Sequence, residues 1–166
     1  MGEEQTQPAV APVQRVQSGT LHRRPKADRV VVEKAKRTLY LYRGQECLKS
    51  YPVALGQRPS GAKCRSGDLR TPEGRYTLDW RNPDSKYFRS IHISYPNARE
   101  LQEAHRTGQD PGGEIMIHGA PQNPAEQARM LGKGADWTAG CIALHNEHMQ
   151  EIWDAVEDGT PIEILP

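Results

Sequence analysis

Two residues in this chain combine a reactive atom with a backbone setting that could aim it. Cys141 stands in Trp137-Thr138-Ala139-Gly140-Cys141-Ile142-Ala143-Leu144, and His118 ends the apolar run Ile115-Met116-Ile117-His118-Gly119. The chemistry they suggest is nucleophilic attack by sulfur. A free thiol has a pKa of about 8.5, and a nearby imidazole can take its proton or, once charged, hold the thiolate. Gly140 lets the backbone turn tightly, which would aim the amides of Gly140 and Cys141 at one point, as an oxyanion requires. A strand end would fix the His118 ring, with Gly119 leaving space beside it. Both residues also have ordinary structural readings. Cysteine is among the most buried residue types, so a Gly-Cys pair before an apolar run is commonly just packed. A histidine at a strand end is commonly a hydrogen-bonded surface residue. These residues alone leave both readings open.

Other side chains are candidates for contacts to a substrate. His92, in Ser90-Ile91-His92-Ile93-Ser94-Tyr95-Pro96, alternates with apolar neighbours and faces either a cleft or solvent. Trp137 walls a pocket or packs in the core, and Thr138 lies in the same run. Arg70 and Lys63 can meet carboxylates or simply be solvated, and Asn146 reads first as a helix cap and second as a site-shaping residue. A zinc centre would need a different set. His145 and His148 are three apart, with His118 or His92 as a third ligand, but no His-Glu-x-x-His or carboxylate pattern accompanies them. No metal or cofactor is expected.

The elements that must position these residues are mostly short strands. Residues 29–33, 38–42 and 47–55 read as β-strands joined by turns, followed by a long Gly/Pro/Arg-rich loop over 56–74. Strand-like segments resume at 75–80 and 88–95, and Glu114–His118 forms another after Asp110-Pro111-Gly112-Gly113. Three helices are expected. Asn97 with Glu100 makes a capping box, and Asn123-Pro124 starts a second helix that Gly132 stops. Asn146 caps a third, whose Met149, Ile152, Trp153 and Val156 fall on one face. Residues 162–165 read as a last strand. The fold class is therefore α+β and β-rich, an antiparallel meander closing as a sandwich or barrel-like sheet with a few flanking helices.

The 166 residues fit one domain at 28–166, preceded at 1–27 by a segment with three prolines and no aromatic residue that reads as a disordered tail or linker. Net charge is +1, from 22 basic and 21 acidic side chains, so no nucleic-acid partner is expected. No apolar run approaches the roughly 18 residues that span a bilayer. Three cysteines cannot all pair, and a Cys47–Cys64 disulfide would leave Cys141 free. Met1-Gly2-Glu3-Glu4 lacks the apolar stretch of a secretory leader, which suggests either a cytoplasmic protein or one whose leader is absent here.

His118-Gly119, then Thr138-x-Gly140-Cys141-Ile142-x-Leu144-x-Asn146, resembles the motif of YkuD-type L,D-transpeptidases. Val30–Glu33, Leu39–Tyr42, Tyr51-Pro52-Val53-Ala54-Leu55-Gly56, and Gly67-Asp68 through Arg70-Thr71-Pro72-Glu73-Gly74-Arg75-Tyr76 look like that family's opening half, so the resemblance spans about residues 28–166. It implies a YkuD-like fold, Cys141 as nucleophile, His118 as base and the Gly119 carbonyl as the group holding the imidazole tautomer. It implies peptidoglycan stem peptides as donor and acceptor, a thioester acyl-enzyme, carbapenems as inhibitors, and a periplasmic or cell-wall-facing location. Water resolving the thioester would make the same site a carboxypeptidase. A non-catalytic wall-binding module would not need a Gly-Cys turn opposite a histidine. Two positions depart from the usual pattern: Ala139 replaces a histidine, and Ala143 replaces an arginine that would be a fixed cation beside the sulfur. Asp136 to Leu144 looks closer to the YafK/DpaA-like branch, which implies hydrolysis of the bond between the wall and an attached lipoprotein.

Overall fold

The computed structural model describes residues 26–166, so the expected tail lies outside the described residues except for Lys26 and Ala27. Eight strands form one curled mixed sheet in the order β3-β2-β1-β8-β4-β5-β6-β7. The strands are β1 (Arg29–Glu33), β2 (Thr38–Arg43), β3 (Glu46–Pro52), β4 (Gly74–Ser85), β5 (Phe88–Ile93), β6 (Met116–His118), β7 (Ile142–Ala143) and β8 (Thr160–Leu165). The helices are α1 (Ala98–Thr107), α2 (Pro124–Gly132) and α3 (Asn146–Ala155).

Local sequence explains two antiparallel meanders, β1-β2-β3 joined by turns, and β4-β5-β6, in which a turn joins β4 to β5 and the segment carrying α1 joins β5 to β6. What unites them is β8, which pairs parallel with β1 and antiparallel with β4. β1 is thus flanked on both sides, and its Val30, Val31 and Val32 are all buried, which is why it reads as an unbroken apolar run. The second parallel pairing, β6 with β7, sets Ile117 beside Ile142 and His118 beside Ala143.

The core lies against one face of the sheet. Ile91, Ile93, Ile117, Ile142, Ile162 and Ile164 meet Met149 and Ile152 of α3, all essentially inaccessible to water. Each such side chain contributes about 2 kcal/mol relative to exposure. α1 contributes one buried residue, Ala104, and is held instead by its Asn97–Glu100 capping box and by the Tyr76 hydroxyl, which donates to Glu100 Oε2 at 2.9 Å.

β4 is longer than its sequence suggests because two register shifts let it continue to Ser85. The first falls opposite His92. Leu78 pairs with Ile93 and Arg81 with Ile91, so Asp79 and Trp80 together oppose one residue. The hairpin tip that follows carries Tyr87.

Candidate active site

His118 closes β6 and is 4% exposed. Its Nδ1 lies 2.7 Å from the Gly119 carbonyl oxygen. A carbonyl can only accept, so Nδ1 carries the proton and Nε2 keeps its lone pair. The Tyr87 ring stacks on the imidazole at 4.4 Å between centroids, and Trp137 meets it edge-on at 5.6 Å. Burial pushes the His118 pKa down to about 4, against the opposing pull of the Gly119 bond, so the ring is neutral at pH 7.

Gly119 cannot be another residue without a rearrangement. A Cβ there would collide with Asn146 Oδ1 and lie 3.0 Å from both Phe88 Cβ and the Tyr87 carbonyl oxygen. Asn146 does not cap α3 as expected. The cap position is His145, with no side-chain bond, and Asn146 is the first helical residue. Its Oδ1 accepts from the Ala120 amide at 2.8 Å, so it fixes the backbone just after His118.

Cys141 follows a turn built by Thr138. The Thr138 hydroxyl donates to the Cys141 carbonyl at 2.7 Å and accepts from the Gly140 amide at 3.1 Å. The amide of Gly140, expected as an oxyanion donor, is therefore committed to the turn. The hydroxyl of Thr138 likewise shapes that turn rather than facing a substrate, although the residue lines the cleft. Gly140 has φ +141°, and a Cβ there would sit 2.7 Å from the Arg70 carbonyl oxygen. The loop before β4 presses on this turn from behind. Its Gln57 amide donates to Thr138 O at 3.0 Å, and Asp68 braces the loop through Lys63 Nζ at 2.8 Å.

The Cys141 sulfur accepts from the Met116 amide at 3.4 Å and donates to the Glu114 carbonyl at 3.5 Å. Burial pushes the thiol pKa up, while the Met116 amide and the Lys63 charge pull it down. A raised thiol and a lowered imidazole make the resting pair neutral, a thiol and a free base rather than a thiolate and an imidazolium.

Both residues open onto one cavity of about 250 Å³, with Tyr87, Trp137, Thr138 and Ala139 around them. The excursion between β6 and β7 supplies the opposite wall through Glu126, Arg129 and Met130 of α2 and Lys133, its C-cap. Sequence reasoning missed Tyr87 and these α2 residues. The one available signal was the spacing of Arg129 and Lys133, four apart at the C-terminal end of a helix strung between the His-Gly and Gly-Cys motifs. They matter because Ala143, in the place of the usual arginine, is buried and locked to Ala54 by paired backbone bonds of 2.9 Å, so the cations of the cleft come from α2 instead.

The remaining candidates fall elsewhere. Arg70 does not line this cleft; its guanidinium turns toward Gly61 and Ala62, and only its carbonyl meets the nucleophile turn. His92 also lies off the cavity, bonded to Asp79 Oδ1 at 2.6 Å and stacked on Trp80. His145 and His148 touch edge-on at 5.6 Å, and no group of three metal-ligating side chains occurs among the described residues. Cys47 and Cys64 are free and exposed.

Comparison with known proteins bears on the fold and the family. The chain is 31% identical over 134 residues to YafK of Escherichia coli K12, covering 76% of this chain and 46% of that one. It is 28% identical over 139 residues to YkuD of Bacillus licheniformis, covering 83% and 66%. The chain thus spans about half to two thirds of the length of these relatives. Its fold superposes on the helical cell shape determining protein Pgp2 of Campylobacter jejuni with a TM-score of 0.62 at 24% identity, covering 84% of this chain and 48% of that one. Residues 27–164 match the YkuD family, and the chain accordingly belongs to the L,D-transpeptidase catalytic domains.

Proposed function

We propose that this protein is a cysteine acyltransferase that forms cross-links between peptidoglycan stem peptides through a thioester on Cys141. The observation that carries the reading is the pairing of a buried, neutral His118 with Cys141 on one cavity, the imidazole held by Gly119 so that Nε2 is the base. In this scheme Nε2 takes the thiol proton as sulfur attacks the carbonyl carbon of the third stem residue. The carbonyl oxygen becomes an oxyanion received by the Cys141 amide, since Gly140 is already bonded to Thr138. Collapse breaks the peptide bond, and Nε2 returns the proton to the departing amine. An amine from a second stem peptide then attacks the thioester, gives its proton to Nε2, and releases the thiol. Arg129 and Lys133 are placed to hold a stem carboxylate at the mouth of the cleft.

The second reading is hydrolysis, in which water resolves the thioester and the enzyme trims stem peptides or releases a wall-attached lipoprotein. Ala139 and Ala143, and the likeness of Asp136 to Leu144 to the YafK/DpaA-like branch, support it. Either reaction places the working protein on the wall side of the membrane, and among the described residues no helix is long and apolar enough to cross one. Incubation with purified muropeptides, followed by mass analysis against Cys141→Ala, decides between them. Cross-linked dimers that require Cys141 support the transferase, and trimmed monomers alone support the hydrolase. Activity that survives Cys141→Ala overturns both.

A further inference from the structure

The outward face of the sheet carries more than the Cys141 cleft. Ile91, Ile93, Ile117 and Ile142 point into the core, so the residues that alternate with them face the other way. His92 on β5 pairs in register with Met116 on β6, and the Met116 amide donates to the Cys141 sulfur. His92 and Cys141 therefore share one sheet face, two strand spacings apart, or roughly 10 Å.

The bulge in β4 builds a specific group around His92. In a regular strand Asp79 and Trp80 would point to opposite faces. Because both oppose His92, both are brought to its ring. Asp79 Oδ1 holds His92 Nδ1 at 2.6 Å, and the Trp80 indole stacks on the imidazole at 4.7 Å with an interplanar angle of 12°. Trp80 nevertheless remains 43% exposed, one of two large apolar side chains so exposed among the described residues. It is a flat apolar surface, rigidly backed and edged by a carboxylate and an imidazole. The core does not use it, and nothing in the chemistry at Cys141 requires it.

We infer that Trp80, backed by His92 and Asp79, is a platform for the N-acetylated amino-sugar strand that carries the stem peptides. The inference rests on the proposed function and adds to it a site for the glycan. The C–H face of a hexosamine ring lies on the indole, and Asp79 and His92 offer polar atoms at its edge. The spacing agrees with the reaction. Trp80 is on β4, three strand spacings or roughly 14 Å from Cys141. The carbonyl attacked belongs to the third residue from the sugar; three extended residues span roughly 10 Å, and the lactyl ether that joins them to the sugar ring covers the remainder. A sugar on Trp80 therefore delivers that carbonyl to Cys141 with the intervening linker and peptide stretched across β5 and β6, past Met116. Such a platform selects stem peptides still attached to their strand over released ones.

The test uses the full chain and two kinds of probe. Peptide-free glycan strands, prepared from peptidoglycan by amidase treatment, are titrated against the wild type, Trp80→Ala and Trp80→Tyr by calorimetry. The platform predicts measurable binding, a roughly tenfold weaker Kd for Trp80→Ala, and recovery of most of it by Trp80→Tyr. In parallel, KM for glycan-linked tetrapeptide rises by a similar factor in Trp80→Ala, while turnover of free tetrapeptide is unchanged. Equal melting temperatures for the three proteins establish that folding is not the cause. No binding of stripped strands by the wild type, or equal binding by Trp80→Ala, overturns the inference. So does an equal loss on free tetrapeptide, which would make Trp80 a peptide contact. If the wild type processes neither peptide substrate, the proposed function fails, and the glycan titration still decides this site by itself.

Discussion

Replacing Asp68 by asparagine tests the idea that the loop before β4 braces the nucleophile. The Asp68 carboxylate accepts four hydrogen bonds, from Lys63 Nζ at 2.8 Å and from the amides of Cys64, Arg65 and Arg70 at 2.9, 3.1 and 3.2 Å. Both side chains of the Lys63–Asp68 pair are 4% exposed. Burial alone would raise the carboxyl, but the lysine and the three amides together hold it at about 2, from an ordinary 3.8. At about 1.4 kcal/mol per unit, that depression stabilises the folded state by about 2.5 kcal/mol. The sign follows from a lowered acid: the contribution is complete above about pH 4 and disappears as pH falls toward 2. Asparagine removes it and leaves the Lys63 charge buried without an opposite charge, the Arg65 carbonyl still accepting from it at 3.1 Å, so the total cost at pH 7 is about 3–5 kcal/mol. Urea unfolding at pH 7 and pH 3 measures both quantities. The wild type loses roughly 1 kcal/mol of this contribution by pH 3, so the gap between the two proteins narrows by that amount. Because Leu69 and Arg70 carbonyls lie against Gly56 and Gly140, the variant also acylates more slowly at temperatures where it is still folded. A gap below 1 kcal/mol at pH 7, or the same gap at both pH values, refutes the reasoning.

Two further outcomes follow from the electrostatics of the cleft. With His118 lowered to about 4, its base form is lost only as pH falls through that value, so the acid limb of kcat/KM lies near pH 4; a limb at pH 6–7 contradicts the buried, neutral imidazole. A carbapenem opens its lactam ring on Cys141 and adds its whole mass to the protein, and His118→Gln slows that step by roughly a hundredfold or more. Peptide mapping that finds the adduct on exposed Cys47 or Cys64 instead would count against an activated Cys141.

Much of the fold was legible because its signals are local. The capping box at Asn97 and the proline-led start of α2 stand where their residue types put them, and so do the paired strands β1 and β2. The Asn146 reading shows the limit. An asparagine before an amphipathic run resembles a cap, but the Gly119–Ala120 backbone competes for the same oxygen and holds it. Thr138 and Gly140 show the same effect. In the sequence each reads as a group offered to a substrate, whereas their polar atoms meet one another across the turn.

The sequence by itself determined which pair is proposed as reactive, because a Gly-Cys pair and a His-Gly strand end appear there as short motifs in the order that the family resemblance requires. It also determined the core, since buried strands and one helix face are written in apolar periodicity. Only the tertiary structure decided how that pair is tuned. The burial of His118 between Tyr87 and Trp137, the cations that α2 brings to the cleft, and the bulge that sets Trp80 beside His92 all depend on residues far apart in the chain. So does the joining of the two meanders, which rests on β8, the last strand, entering between β1 and β4. The physical reason is common to all of them. Dihedral preference and periodicity act over a few residues, whereas desolvation, stacking and strand order depend on which distant segments close around a site.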